Sequence, residues 1–481
     1  MSGTYQAPAG RPLTVGRKAL ITMKTTSLAA ILLLAVGSSA LSSTTSTRSR
    51  MQQQLTGQMI LAPLTKGGNL PFRRLCADFG MEVSLSEMVY ARSLLRGSPV
   101  EQARLRRWEG EQIFGVQIAT NQIEEGLNAI RKLQESAVVQ FCDINCGCPI
   151  YDVTRRGLGS SLLRSPTKLH KLVKGMVDGT DLPITVKIRV GCESDTINVL
   201  ENVKAIREAG AAAITIHGRT AQQGYSKDAN WSLIEQAVAE SREEGFDIPI
   251  IGNGDILTHF EARRRMEDTN VNSVMVGRGA LIKPWIFKEF KDNATWSPTA
   301  RERIEVYHTL ANYMKDHFGD DEMGRKKAWT FLPWHFEFLS RYSPYPEDEF
   351  ASQSIDKPLI QSRLDVEADD PLDILLANRS SDAHDVIASI LWDSNSDKVA
   401  FRKLNEFSES AEFNNILITG SSSEEDKVLA NPLPGKAGRW SKRRGRKPGP
   451  KRSDEEIAAI RAARALKKQT ILASGGQWPP K

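Results

Sequence analysis

An α/β chain, a (β/α)8 barrel followed by a small helical domain, is the fold this sequence predicts, and three observations predict it. Short apolar runs suited to buried strands recur about eight times. Segments long enough for one helix separate them, the alternation that gives parallel strands with right-handed crossovers. The last two runs each end in a glycine-flanked polar turn, Gly252-Asn-Gly-Asp255 and Gly277-Arg-Gly-Ala280. The expected strands are residues 59–63, 82–87, 114–118, 139–145, 184–189, 213–217, 248–252 and 274–277, with helices such as 167–177, 197–209 and 231–244 between them. Residues 56–296 form the barrel in this reading. Residues 297–415 form a helical domain with an acidic extension: helical periodicity over 300–317 runs through Ile304, Tyr307, Leu310, Ala311 and Met314, and an aromatic stretch starts at Phe331. That aromatic stripe reads as core before it reads as a base-stacking platform. Weaker helical signals follow around 372–378 and 386–392.

The ends differ from the barrel in composition. Residues 1–55 hold an apolar run over 28–36 and then Ser/Thr/Arg-rich sequence, the pattern of a targeting segment or an unstructured leader. The run is too short to span a bilayer, so no permanent membrane association is expected. Residues 416–481 form a basic tail. Lys436–Arg452 interleaves Lys and Arg with Gly and Pro, and a short capped helix follows. The tail suits a polyanion or a nuclear address, whereas the leader suits an organelle (plastid or mitochondrion). The compartment, organelle against cytoplasm or nucleus, therefore stays open. The 64 Lys+Arg against 58 Asp+Glu give a formal charge of +6, so the placement of charge matters more than its total. Five cysteines cluster on the barrel strands rather than in a secreted framework, which reads as reduced thiols in an intracellular protein.

Chemistry in such a barrel collects at the C-terminal strand ends. The residues there are Pro63, Glu87, Gln117, Asn145, Cys148, Lys187, His217, Asn253, Asp255 and Arg278. The most informative stretch is Asp143-Ile-Asn-Cys-Gly-Cys148-Pro149, where Gly147 and Pro149 turn the backbone away from the ladder and present the Cys148 thiol. The two glycine turns read as a phosphate cradle, in which glycine admits close backbone approach and Arg278 adds a guanidinium. Lys187, in an apolar strand, wants an anion. It is either a paired structural lysine or the partner of a cofactor that gains negative charge, such as the N1–C2=O edge of a reduced flavin. Gln117 can donate and accept at a flavin amide edge. His217 suits the same ring system or its phosphate, with a satisfied core histidine as the alternative. Cys142, Cys146 and Cys148 offer soft metal ligands, but their spacing matches no zinc pattern and no metal is expected.

The motifs resemble those of the flavin-dependent tRNA-dihydrouridine synthases, over about residues 58–345. The resemblance rests on Leu61-Ala-Pro-Leu-Thr65, Asn69-Leu-Pro-Phe-Arg-Arg74, Ser86-Glu-Met88, Gly115-Val-Gln117, Asn145-Cys-Gly-Cys-Pro149, Val186-Lys-Ile-Arg189, His217-Gly-Arg-Thr220 and the two glycine turns. Asn69–Arg74 and Leu281-Ile-Lys-Pro-Trp285 are most similar to the eukaryotic class-three branch, which acts on uridine 47 in the tRNA variable loop. The resemblance implies FMN lined by Pro63, Leu64 and Thr65 and contacted by Gln117, Lys187 and His217. It implies a phosphate end held by Asn253, Gly254, Asp255, Gly277 and Arg278. It further implies NADPH or NADH as reductant, Cys148 as catalytic acid, substrate contacts from Asn145, Arg189 and Arg219, and tRNA as partner, with other protein partners unknown. Many class-three relatives carry Cys/His zinc fingers ahead of the barrel, whereas no cysteine precedes Cys76 here. Two rival functions share these features: a small-molecule FMN reductase resembling dihydroorotate dehydrogenase, and a non-catalytic tRNA-binding protein.

Overall fold

A computed structural model of the chain describes residues 47–135, 139–362 and 370–420. The apolar run at 28–36 and residues 421–481 of the basic tail lie outside the described residues. Eight parallel strands close a barrel: β1 Met59–Leu61, β2 Val83–Leu85, β3 Ile113–Ala119, β4 Phe141–Cys146, β5 Ile184–Arg189, β6 Ala213–His217, β7 Ile250–Asn253 and β8 Ser273–Val276. Ile60 of β1 is in register with Val83 on one side and Met275 on the other, which is the closure. A two-residue stub, Val89–Tyr90, extends the wall beside Ile118 and Ala119 of β3. Helices α1 Leu70–Asp78, α2 Ile123–Glu135, α3 Pro166–Asp178, α4 Val199–Glu208, α5 Ser232–Glu243, α6 His259–Thr269, α7 Arg278–Ile282 and α8 Ile286–Asp292 surround it.

Period-two alternation sorts every strand into an inner and an outer face. On β4, Cys142, Ile144 and Cys146 belong to the shell packed against the helices, while Phe141 belongs to an inner plug with Ile60, Val83, Ile113, Ala213, Ile251 and Met275. Phe141 fills the barrel axis because Gly115 makes room: a Cβ there would stand 2.2 Å from the Phe141 ring. Met51 and Leu55, from helical residues 47–54 and the turn after them, floor this plug. The Leu55 carbonyl accepts from Ser273 Oγ at 2.6 Å, so the chain joins the barrel ahead of residue 56.

The helical domain holds α9 Ala300–Phe318, α10 Leu332–Leu339, α11 Ser381–Trp392 and α12 Asp397–Ser408 among its helices. α9 opens on a capping box, Thr299 with Glu302, that satisfies its first amide donors. α12, not anticipated from the sequence, is capped by Ser396 and buries Ala400 and Leu404. The aromatic stripe is core: Trp334, Phe336, Phe338 and Tyr342 are buried. The domain docks on α1, where Arg74 lies 3.7 Å over the Tyr313 ring and pairs with Asp316, and Phe72 stacks on His335 with centroids 4.8 Å apart. No helix among the described residues is long and apolar enough to cross a membrane.

Candidate active site

The inner face of β3, β4 and β5 carries a buried polar relay below the barrel mouth. Gln117 Nε2 donates to Asp143 Oδ2 at 2.8 Å, and Thr185 Oγ1 donates to Asp143 Oδ1 at 2.7 Å. Asn145 Nδ2 donates to Gln117 Oε1 at 2.7 Å, and Asn145 Oδ1 accepts the Cys148 N–H at 3.1 Å. Each amide orientation is forced by the next partner, so the carboxylate of Asp143 ultimately orients the cysteine loop. Burial pushes the Asp143 carboxyl up to about 6 against the pull of Thr185, Gln117 and Lys187. Asp143 was visible in the sequence only as the start of the cysteine run. A carboxylate in an apolar strand was the signal for it.

Cys148 sits past the end of β4, partly buried on a small cluster of Met88, Ala119, Val153 and Leu158 with Tyr90. Its loop is held from both sides. Ser160 N–H donates to the Cys148 carbonyl at 3.0 Å, and Arg189 donates through Nε to Gly147 O and through Nη1 to Thr220 O, both at 2.8 Å. Burial raises the thiol above its ordinary range, opposed by the Ile150 amide and by the charges of Arg189 and Lys187. The thiol is thus a protonated acid at neutral pH. Cys142 and Cys146 face the helices, and no cluster able to hold a metal occurs among the described residues.

Beside the relay, Lys187 Nζ donates to Asn253 Oδ1 at 3.2 Å, its one hydrogen-bond acceptor among the described residues, and Asn253 Nδ2 donates to Met275 O at 2.7 Å. Burial first, then the Arg189 charge, lowers the ammonium to about 8. The same burial, with Arg189, Lys187, Arg219 and Arg278 around it, drives His217 well below its ordinary range, so the imidazole is neutral.

The turns after β7 and β8 stand side by side because Asn253 is paired with Met275. Gly254 has φ 130° and Asp255 φ 52°, a left-handed pair that glycine permits and aspartate tolerates. The Asp255 carboxylate takes Arg219 Nη2 at 2.6 Å, Arg278 Nη2 at 2.7 Å and the Ala229 N–H at 2.7 Å. Arg219 is fully buried and also donates to Lys227 O at 2.6 Å. Its contacts are internal, and it acts through Asp255. Arg278 is partly exposed, lies 4.0 Å over the Tyr225 ring, and is lowered by burial to about 10. Gly277 lies beside Leu64, whose Cδ2 is 3.3 Å from where a Cβ would stand, so the Pro63–Leu64–Thr65 turn after β1 borders the same cradle.

The structure therefore gathers the predicted site residues at one barrel mouth, and five of them, Gln117, Asn145, Arg189, Arg219 and Asn253, have polar groups engaged by neighbours. The donor set fits a flavin: a partly buried ammonium with donors to spare, a neutral imidazole and a cationic glycine cradle, bordered by Leu64. These features define a (β/α)8 barrel with two arginines gathered on a glycine turn at its rim and a protonated thiol on the loop after β4. The chain belongs to the dihydrouridine synthase (Dus) family, whose model matches residues 60–363. It is 40% identical over 291 residues to the Homo sapiens protein named tRNA-dihydrouridine(47) synthase NAD(P)(+)-like, covering 60% of this chain and 44% of that one. A Xenopus tropicalis protein of the same name is 38% identical over 301 residues, covering 62% and 46%. The Cryptococcus neoformans tRNA-dihydrouridine(47) synthase NAD(P)(+) is 42% identical over 299 residues, covering 60% and 41%. The chain thus spans less than half the length of these relatives.

Proposed function

We propose that the chain reduces the C5–C6 double bond of a uridine in tRNA, position 47 of the variable loop, to 5,6-dihydrouridine. The observation that carries this reading is a protonated loop thiol, Cys148, close enough to feel the charges of Arg189 and Lys187, at the same end of the barrel as the Arg278 glycine cradle, in a chain of this family. FMN, reduced by NADPH or NADH, supplies the hydride to uracil C6 when bound. Cys148 gives its proton to C5, because an enolate-like charge at the ring needs an acid within reach. Lys187 and His217 would hold the flavin ring, and Arg278 with the backbone of Asn253, Gly254, Asp255 and Gly277 would hold its phosphate. Asn145 and Arg189 fix the loop that carries the thiol. The target base must leave its stack to reach this depth. The test is dihydrouridine mapping on tRNA incubated with the full chain and NADPH: a new dihydrouridine at position 47 supports the reading, and an unmodified tRNA with a flavin-loaded protein overturns it.

Two further results are expected. The reactive forms of both Lys187 and Cys148 are the protonated ones, so the rate is retained at lower pH and lost as pH rises. Lys187, at about 8, titrates first. A pH–rate profile should bend down near there, and Lys187→Met should lower the plateau and remove that bend. Tyr151, three residues after Cys148, is 73% exposed next to Arg155 and Arg156, which suits it to stack on a nucleobase beside the extruded uridine. Tyr151→Ala should lower kcat/KM for tRNA roughly tenfold, from the loss of one stacked base. Reduction of bound flavin by NADPH should not change.

A further inference from the structure

Sequence far beyond the barrel returns to the cradle. Glu261, at the start of α6, caps its own helix and accepts the Leu359 N–H at 2.9 Å, while Arg264 of α6 donates to Ala351 O, Ser354 Oγ and Ser354 O. These anchors bring Gln361 to the loop that follows β6. Gln361 Nε2 donates to Tyr225 O at 2.7 Å and lies 3.4 Å from Asp255 Oδ1. The Tyr225 ring packs under Arg278 at 4.0 Å, near Arg219 at 5.4 Å, and stacks on His217 with centroids 6.4 Å apart. One carboxamide thus pins the residue whose ring covers the cradle arginines and also touches the carboxylate that anchors them.

We propose that Gln361 is a positioning residue for the flavin phosphate: by holding Tyr225 and Asp255 it fixes Arg278, so the chain that follows the barrel sets how tightly the phosphate end is gripped. This rests on the flavin reading above. Riboflavin, which lacks the phosphate, separates that role from general support of the fold. The experiment titrates the full chain with FMN and with riboflavin by fluorescence quenching, in wild type, Gln361→Ala and Arg278→Ala. Losing one positioned hydrogen bond should weaken FMN about five- to tenfold in Gln361→Ala and change riboflavin by less than about twofold. Arg278→Ala should show the same selectivity with a larger loss. Equal losses for both flavins, or an unchanged FMN affinity in Gln361→Ala while Arg278→Ala loses it, overturn the proposal and leave the flavin site standing. A wild-type chain that binds neither flavin overturns both. Should the alanine variant fail to fold, Gln361→Glu keeps the side-chain length, cannot donate to Tyr225 O and adds charge beside Asp255. It should again weaken FMN and spare riboflavin.

Discussion

Under the proposed function, Cys148→Ala should remove dihydrouridine formation while NADPH should still reduce the bound flavin. The thiol stands on a loop fixed by Asn145, Ser160 and Arg189, and burial keeps it protonated, as the proposed acid role requires. Alanine leaves every one of those loop contacts intact, since all of them run through the Cys148 and Gly147 backbone. The loss should therefore fall on proton delivery alone, on the order of 10²–10⁴-fold for a removed general acid. Single-turnover kinetics of the flavin spectrum, with and without tRNA, separate the two half-reactions. The reductive half should match wild type, and reoxidation by tRNA should stall. Cys148→Ser should recover little, because a hydroxyl is a far weaker acid than a thiol whose ordinary pKa is about 8.5. Full product formation by Cys148→Ala would remove the thiol from the reaction.

Much of this site was legible before the structure because its chemistry sits at strand ends, where an apolar run stops at a polar residue. Lys187, Gln117 and Asn253 stand out in that way, and the inward register follows from period two alone. What the sequence left dark is pairing across distance. Nothing near Arg219 says that its guanidinium is buried on Asp255, 36 positions away, rather than turned to substrate. Nothing near Gln361 places it on Tyr225. Motifs also turned out to serve different ends. Arg73, within the Asn69–Arg74 motif, is buried in an ion pair with Glu111 at 2.8 Å, and its neighbour Arg74 grips the helical domain. Lys283 and Trp285 of the second branch motif do likewise: Lys283 pairs with buried Glu289 at 2.6 Å, and Trp285 packs edge-on against Tyr342. Arg74 and Trp285 brace the junction between barrel and helical domain, whereas Arg73 and Lys283 close ion pairs within the barrel's own shell, so a motif marks architecture as readily as chemistry.

Asp255→Ala should be the most disruptive single change at the cradle, for stability and for flavin together. Its carboxylate is the common anion for Arg219, fully buried, and Arg278, partly exposed, and it also accepts the Ala229 N–H. Removing it leaves two guanidinium groups side by side, one of them with no access to water. Breaking a buried pair in this way costs about 3–5 kcal/mol. Denaturant melts should therefore show a much larger loss for Asp255→Ala than for Arg278→Ala, because removing Arg278 leaves Asp255 still paired with Arg219. The converse is expected for repair. Asp255→Leu combined with Arg219→Met removes both buried charges and should recover part of the stability, since apolar groups can replace a buried ion pair, less the strain of a leucine held at φ 52°. Flavin binding should not return with it, because Arg278 loses the carboxylate that aims it and the Tyr225 loop loses the acceptor at Ala229. A double variant that refolds and still binds FMN as wild type does would show that the cradle holds phosphate through its glycine backbone alone.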